Sequence, residues 1–206
     1  MASPSSPERS AAGITVKSGW ACAVLIDTPG RLPRVLDSRR IDLSDPASPA
    51  AKQPYHDGFG TARSSGPALS RLVASVEQFG AGSMRTVLDE WSAAGRVAGV
   101  GVVVGSMIDP DRIGNSHVRI HALEGRLFRT VVVEAVRRAG LPVLVHRERD
   151  LLAIAIERLN RSDSSLRAAL TAAGRDAGTT PWRAEQKAAA LAAWLMLASV
   201  GDRDLG

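Results

Sequence analysis

The chain has 206 residues, with 26 Lys and Arg against 21 Asp and Glu, a net charge of +5 and a hydrophobic fraction of 45%. That length supports one well-buried core. No apolar run reaches the roughly 18 to 20 residues of a membrane helix, so a membrane partner is not expected. The single cysteine, Cys22, excludes an internal disulfide and fits a reducing, cytoplasmic compartment. It lies in an apolar run and reads as a small buried side chain rather than a nucleophile. Lysine occurs only at Lys17, Lys52 and Lys187. An Arg-over-Lys, Ala-rich composition fits a GC-rich bacterial genome, and the basic charge permits nucleic-acid binding without establishing it.

Met1 to Ala12 is rich in Ser and Pro, lacks the apolar stretch of a secretory signal, and reads as a disordered leader. Ile14 to Ile26 is β-branched and apolar and reads as one strand, kinked at Ser18-Gly19. Asp27-Thr28-Pro29-Gly30 is a turn signal, and Arg34 to Leu43 follows as a second strand, giving an antiparallel hairpin. Ser44 to Gly66 is a long polar connection, with room for a third short strand. Its centre, Gln53 to Phe59, spends the only tyrosine, Tyr55, beside His56, as an ordered loop over a site does.

Pro67 to Ala94 carries Leu69, Leu72, Val73, Val76 and Phe79, then Met84, Val87, Leu88 and Trp91, at helical spacing. Gly80 and Gly82 are expected to kink or split that helix, and Gly95 to cap it. Val97 to Val104 is a continuous apolar run, the pattern of a strand buried on both faces. Ile120 to Ala139 is a helix ended by Gly140, Leu141 to His146 a short strand, and Glu148 to Leu159 a further helix. Ser162 or Asp163 caps a helix to Ala173. Thr180-Pro181 is a start signal for a last helix reaching about Ser199, followed by a tail from 201 to 206.

A hairpin followed by alternating helices and strands resembles the ribonuclease H-like superfamily, here as one α/β domain over residues 13–200 with a mixed sheet flanked by helices. Gly13-Ile14-Thr15-Val16-Lys17-Ser18-Gly19, Leu141-Pro142-Val143 and the Ala-rich segment Ala184 to Ala198 are similar to the Holliday-junction resolvases of that group. The resemblance implies nucleic acid as a partner, allows a homodimer, and implies Mg²⁺ or Mn²⁺ held by about four carboxylates. The sequence departs from that pattern. Thr15 stands where the first carboxylate is expected, and the last helix offers only Glu185, followed by Lys187.

The strongest polar cluster is Ser106, Asp109, Asp111, His117, His121, Glu124 and Arg129, leaving the C-terminal end of the apolar strand, where ligands gather in open α/β sheets. His121 and Glu124 share a helix face. Glu124 can bind a metal or act as a base, with Asp109 and His121 as further catalytic candidates. The competing expectation is that Asp109 only caps the turn before Pro110, and that Glu124 is exposed or pairs with Arg126 or Arg129. Lys17 and Ser18 can meet an anion at a Gly-containing turn. Ser106, Arg129, His56 and Tyr55 complete the binding candidates. No P-loop, zinc-ligand motif, nucleophile elbow or dinucleotide fingerprint occurs.

Three functions follow. The first is a non-catalytic ribonuclease H-like protein that binds nucleic acid or a protein. The second is a metal-dependent nuclease with Asp109, Glu124 and Glu185 as ligands. The third is a nucleotide or small-molecule binder of the actin-like branch.

Overall fold

A computed structural model of the chain describes residues 9–57, 63 and 65–203. The elements run β1 (Ser10–Lys17), β2 (Trp20–Asp27), β3 (Arg34–Asp42), α1 (Pro67–Ala94), β4 (Val97–Val104), α2 (Ser116–Arg138), β5 (Val143–Arg147), α3 (Glu148–Leu159), α4 (Asp163–Asp176) and α5 (Ala184–Arg203). The sheet order is β3-β2-β1-β4-β5. β1 pairs antiparallel with β2 and parallel with β4; β2–β3 is antiparallel and β4–β5 parallel. This is the mixed sheet flanked by helices that the element order predicts.

The apolar run Ile14–Ile26 is two strands rather than one. Lys17 pairs with Trp20 across Ser18-Gly19. Gly19 has φ of +79°, a left-handed turn conformation open to glycine at no steric cost. The expected leader is shorter at its end: Ser10, Ala11 and Ala12 lie buried in β1, while residues 1–8 fall outside the described residues. The 44–66 connection holds a short 3-10 turn at Pro49–Lys52 and, among its described residues, no further strand; Gly58 and Phe59 fall outside them.

α1 passes through Gly80 and Gly82 without a break. A Cβ on Gly80 would come within 2.7 Å of the Val131 side chain and 3.0 Å of the Leu43 carbonyl. That glycine therefore serves close packing against α2 and the chain after β3, not a kink. Gly95 closes α1 as expected, its N–H donating to the Trp91 carbonyl. Asn115 caps α2 and Ser162 caps α4, each by a side-chain oxygen. The last helix begins at Ala184, not at Pro181. Trp182 holds the preceding chain against α4, its indole N–H donating 2.9 Å to the Leu170 carbonyl and its ring lying over Gly174. The far end of α5 extends into the expected tail, to Arg203.

Two cores lie on opposite faces of the sheet. α1 and α2 cover Ala12, Ile14, Val16, Val100, Val102 and Val104 with large side chains such as Phe128, Met84 and Trp91. α5, with α3 and α4, covers Cys22, Val24, Ile26 and Val103. Residues 189 to 196 of α5 are all buried, the signature of a helix sunk in a core. It sinks because the strands beneath it lack side chains. Gly13 and Gly101 are register neighbours on β1 and β4. Cβ atoms there would meet the Ala189 carbonyl at 1.7 Å and the Ala192 carbonyl at 2.4 Å.

Candidate functional site

Side chains at the C-terminal ends of β1 and β4 come together on the α2 side of the sheet. Lys17 ends β1, Ser18 follows it, and Ser106 follows β4; the Lys17 side chain itself turns to the α3 side. With His121 of α2 they line a cavity of about 340 Å³ floored by Val16, Val104 and Phe128. The Arg129 guanidinium donates to the Ser106 carbonyl at 3.2 Å, tying α2 to that rim. The Lys17 ammonium lies 3.2 Å from Glu148, the first residue of α3. A half-exposed pair of this kind is worth at most about 1 kcal/mol, so an incoming phosphate can displace the carboxylate.

Beside the cavity stands a histidine cluster. His117, His121 and Glu124 follow at intervals of four and three along α2, which places them on one helix face. The loop before α1 lays His56 over the same face. Its Nδ1 lies 2.8 Å from Glu124 Oε1. Glu124 Oε2 has no hydrogen-bond partner and lies 4.0 Å from His121 Nδ1. His121 Nε2 is 3.3 Å from His117 Nε2. The His56 and His121 ring centroids are 5.1 Å apart, and those of His117 and His121 4.7 Å. Glu124 is wholly buried, His56 partly buried, and His121 about half exposed.

Burial drives the Glu124 carboxyl above the ordinary carboxylate range. The His56 bond, the charges of His56 and His121 and the Tyr55 backbone pull it back in part. The Tyr55 phenol is likewise raised, chiefly by burial, with Arg126 opposing and Glu77 and Glu124 adding to the rise. Tyr55 packs on the α1–α2 core beside this cluster.

The three proposed metal ligands are not brought together. Asp109 accepts from the Asp111 N–H as the cap of a 3-10 turn and lies 3.7 Å from Arg126. Glu185 belongs to α5, across the sheet, where its carbonyl accepts from the Thr15 hydroxyl at 3.0 Å. Glu124 is neither exposed nor paired with Arg126 or Arg129, because it points inward under His56 rather than along the helix surface. Among the described residues, the group of three or more metal-ligating side chains is instead His56, His117 and His121, with nitrogen atoms all within 4.8 Å. The chain has four histidines, and three of them meet here. The sequence signal was the i, i+4 spacing of His117 and His121; nothing in the pattern tied them to His56.

Thr15 is 1% exposed and faces α5. On the same side Cys22 is buried, and burial, with the Glu185 charge adding, pushes its thiol up to about 11. This fits an inert small core residue.

No protein-family model and no curated protein matches the chain. Solved structures do. RuvC from Thermus thermophilus is 13% identical with a TM-score of 0.54, covering 93% of this chain and 96% of that one. The same protein in complex with Holliday junction substrate is 15% identical, again with a TM-score of 0.54. The chain has the ribonuclease H-like fold. A Ppx/GppA family member from Aquifex aeolicus overlaps 40% of its own length at a TM-score of 0.36. At such identities the ribonuclease H-like likeness concerns the backbone path, not the residues of a site. Among the described residues, no helix is long and apolar enough to cross a membrane.

Proposed function

We propose that this chain is a nucleic-acid-binding protein of the ribonuclease H-like fold that does not cleave through a two-metal carboxylate centre. The observation that carries the reading is Thr15. At the position where the resemblance expects the first carboxylate, its hydroxyl is buried and committed to the Glu185 carbonyl. A threonine hydroxyl bonded in this way brings no charge for a hard dication, which takes several oxygen ligands, carboxylates prominent among them. The residues there do not fit a pair of Mg²⁺ or Mn²⁺ ions.

Binding falls instead to the C-terminal rim of the strands, where Ser18 and Ser106 offer two hydroxyls to the cavity on the α2 side and the Lys17 ammonium stands at the same strand ends beside Glu148. RuvC, whose backbone path this chain shares, is itself seen with a Holliday junction, and the net charge of +5 favours a polyanion.

Fluorescence anisotropy with a four-way DNA junction and a linear duplex, over a salt series in Mg²⁺, tests the reading. Binding is expected at low salt, with affinity falling log-linearly as salt rises. Lys17→Ala is expected to flatten the slope by about 1, and the DNA is expected to stay intact. No binding at low salt, or Mg²⁺-dependent cleavage, contradicts it.

A further inference from the structure

We propose that His56, His117 and His121 form a binding site for one borderline-soft transition-metal dication of the zinc class, with Glu124 as the carboxylate that orients two of the three imidazoles. The inference is independent of the nucleic-acid reading. His56 turns its Nδ1 to Glu124 Oε1 at 2.8 Å, which leaves its Nε2 free. His121 turns its Nδ1 to Glu124 Oε2 at 4.0 Å and its Nε2 to His117 Nε2 at 3.3 Å. One ring nitrogen from each of the three histidines lies within 4.8 Å of the other two. A tetrahedral ion with bonds of about 2.05 Å sets its ligand nitrogens about 3.3 Å apart, the separation already present between His117 and His121.

Glu124 accounts for the rest of the arrangement. A carboxylate buried with one oxygen unpartnered is costly unless something claims it. A metal drawing His121 inward brings its Nδ1–H onto that oxygen, so both carboxylate oxygens accept from ligand imidazoles. Such an outer-shell carboxylate fixes the ring tautomers and strengthens the ligands. Imidazole nitrogens select zinc, nickel or copper over the oxygen-seeking Mg²⁺. Three protein ligands leave the fourth position open. His121 also lines the rim cavity, which lies beside the cluster.

The test uses the whole chain, freed of metal by a chelator and titrated with Zn²⁺ against a chromophoric competitor. One Zn²⁺ per chain is expected, and Mg²⁺ is expected not to compete. His117→Ala and His121→Ala alter exposed side chains and leave the core intact; each is expected to lower Zn²⁺ affinity at least about 100-fold. Glu124→Gln keeps the side-chain shape and is expected to lower affinity about 10- to 100-fold, with circular dichroism confirming the fold. Glu134→Gln, elsewhere on α2, is expected to bind as the parent does. With Co²⁺ in place of Zn²⁺, an intense visible band of tetrahedral type is expected, and its loss in His121→Ala. Failure of the parent to take up Zn²⁺ overturns the proposal, as does undiminished one-to-one uptake by the His117→Ala/His121→Ala double variant.

Discussion

The face of the sheet under α5 and the face under α1 and α2 share five strands and are packed by different rules. Under α5, Gly13 and Gly101 let helix backbone touch strand backbone, and Thr15 spends its hydroxyl on a helix carbonyl. Under α2, bulky residues such as Phe128 and Val132 hold the helix off the sheet. That spacing leaves room at the rim for a cavity, a buried carboxylate and three histidines. Close backbone contact leaves no space for ligands; side-chain packing does. In this chain the rim cavity, Glu124 and the three histidines gather on the second face, although the family resemblance directs attention to the first.

The largest effect is expected at Gly13. Gly13→Val places side-chain carbons where the Ala189 carbonyl stands, so α5 must leave the sheet. A loss of more than about 4 kcal/mol is expected, at the extreme of single-substitution effects, read as failure to give a cooperative thermal transition. A transition close to the parent's would show that α5 does not sit on the strands as described.

A smaller effect is expected from Thr15→Asp on the same face. The new carboxylate meets the Glu185 carbonyl, acceptor against acceptor, in a buried position. A cost of about 1 to 3 kcal/mol in denaturant unfolding is expected, without any gain of Mg²⁺-dependent cleavage. A variant that is as stable as the parent and cuts DNA would show that the α5 face is a dormant nuclease centre.

The smallest effect lies at His146 on β5. Burial lowers its pKa, and its Nε2 has no hydrogen-bond partner. The folded protein therefore holds the ring neutral where the unfolded chain takes up a proton. The stability this contributes is complete above the ordinary histidine value of about 6.5 and is lost as pH falls through the lower folded value. The slope attributable to this one ring is at most about 1.4 kcal/mol per pH unit. His146→Leu is expected to flatten the stability-versus-pH curve below pH about 6.5; an unchanged curve would remove His146 from the account.

Much of the architecture was legible because its signals are local. The unbroken apolar run 97–104 marks β4, and α3 occupies Glu148–Leu159, the bounds read from its pattern. The β1–β2 hairpin was not legible. A two-residue turn at Ser18-Gly19 barely interrupts the apolar pattern, so two strands read as one. The gap between Pro181 and the start of α5 likewise depends on Trp182 docking on α4, a contact that no local rule supplies. At the site, Ser106 was placed by the end of the apolar run 97–104, whereas Lys17 and Ser18 were read as a glycine-containing turn inside one strand, not as a strand end. His121 with Glu124 followed from helical spacing. The join of His56 to Glu124 spans 68 residues and is set by a loop's path, which periodicity does not encode. For the same reason Asp109, Glu124 and Glu185 looked equivalent as acids, although the sheet separates Glu185 from Glu124.

The most direct measurement is an anomalous difference map, collected at the zinc edge from crystals of the whole chain grown with one equivalent of Zn²⁺. A single peak within bonding distance of His56, His117 and His121, with both Glu124 oxygens on ring nitrogens, is the predicted result. A peak beside Thr15 and Glu185, or an empty histidine cluster, would contradict it.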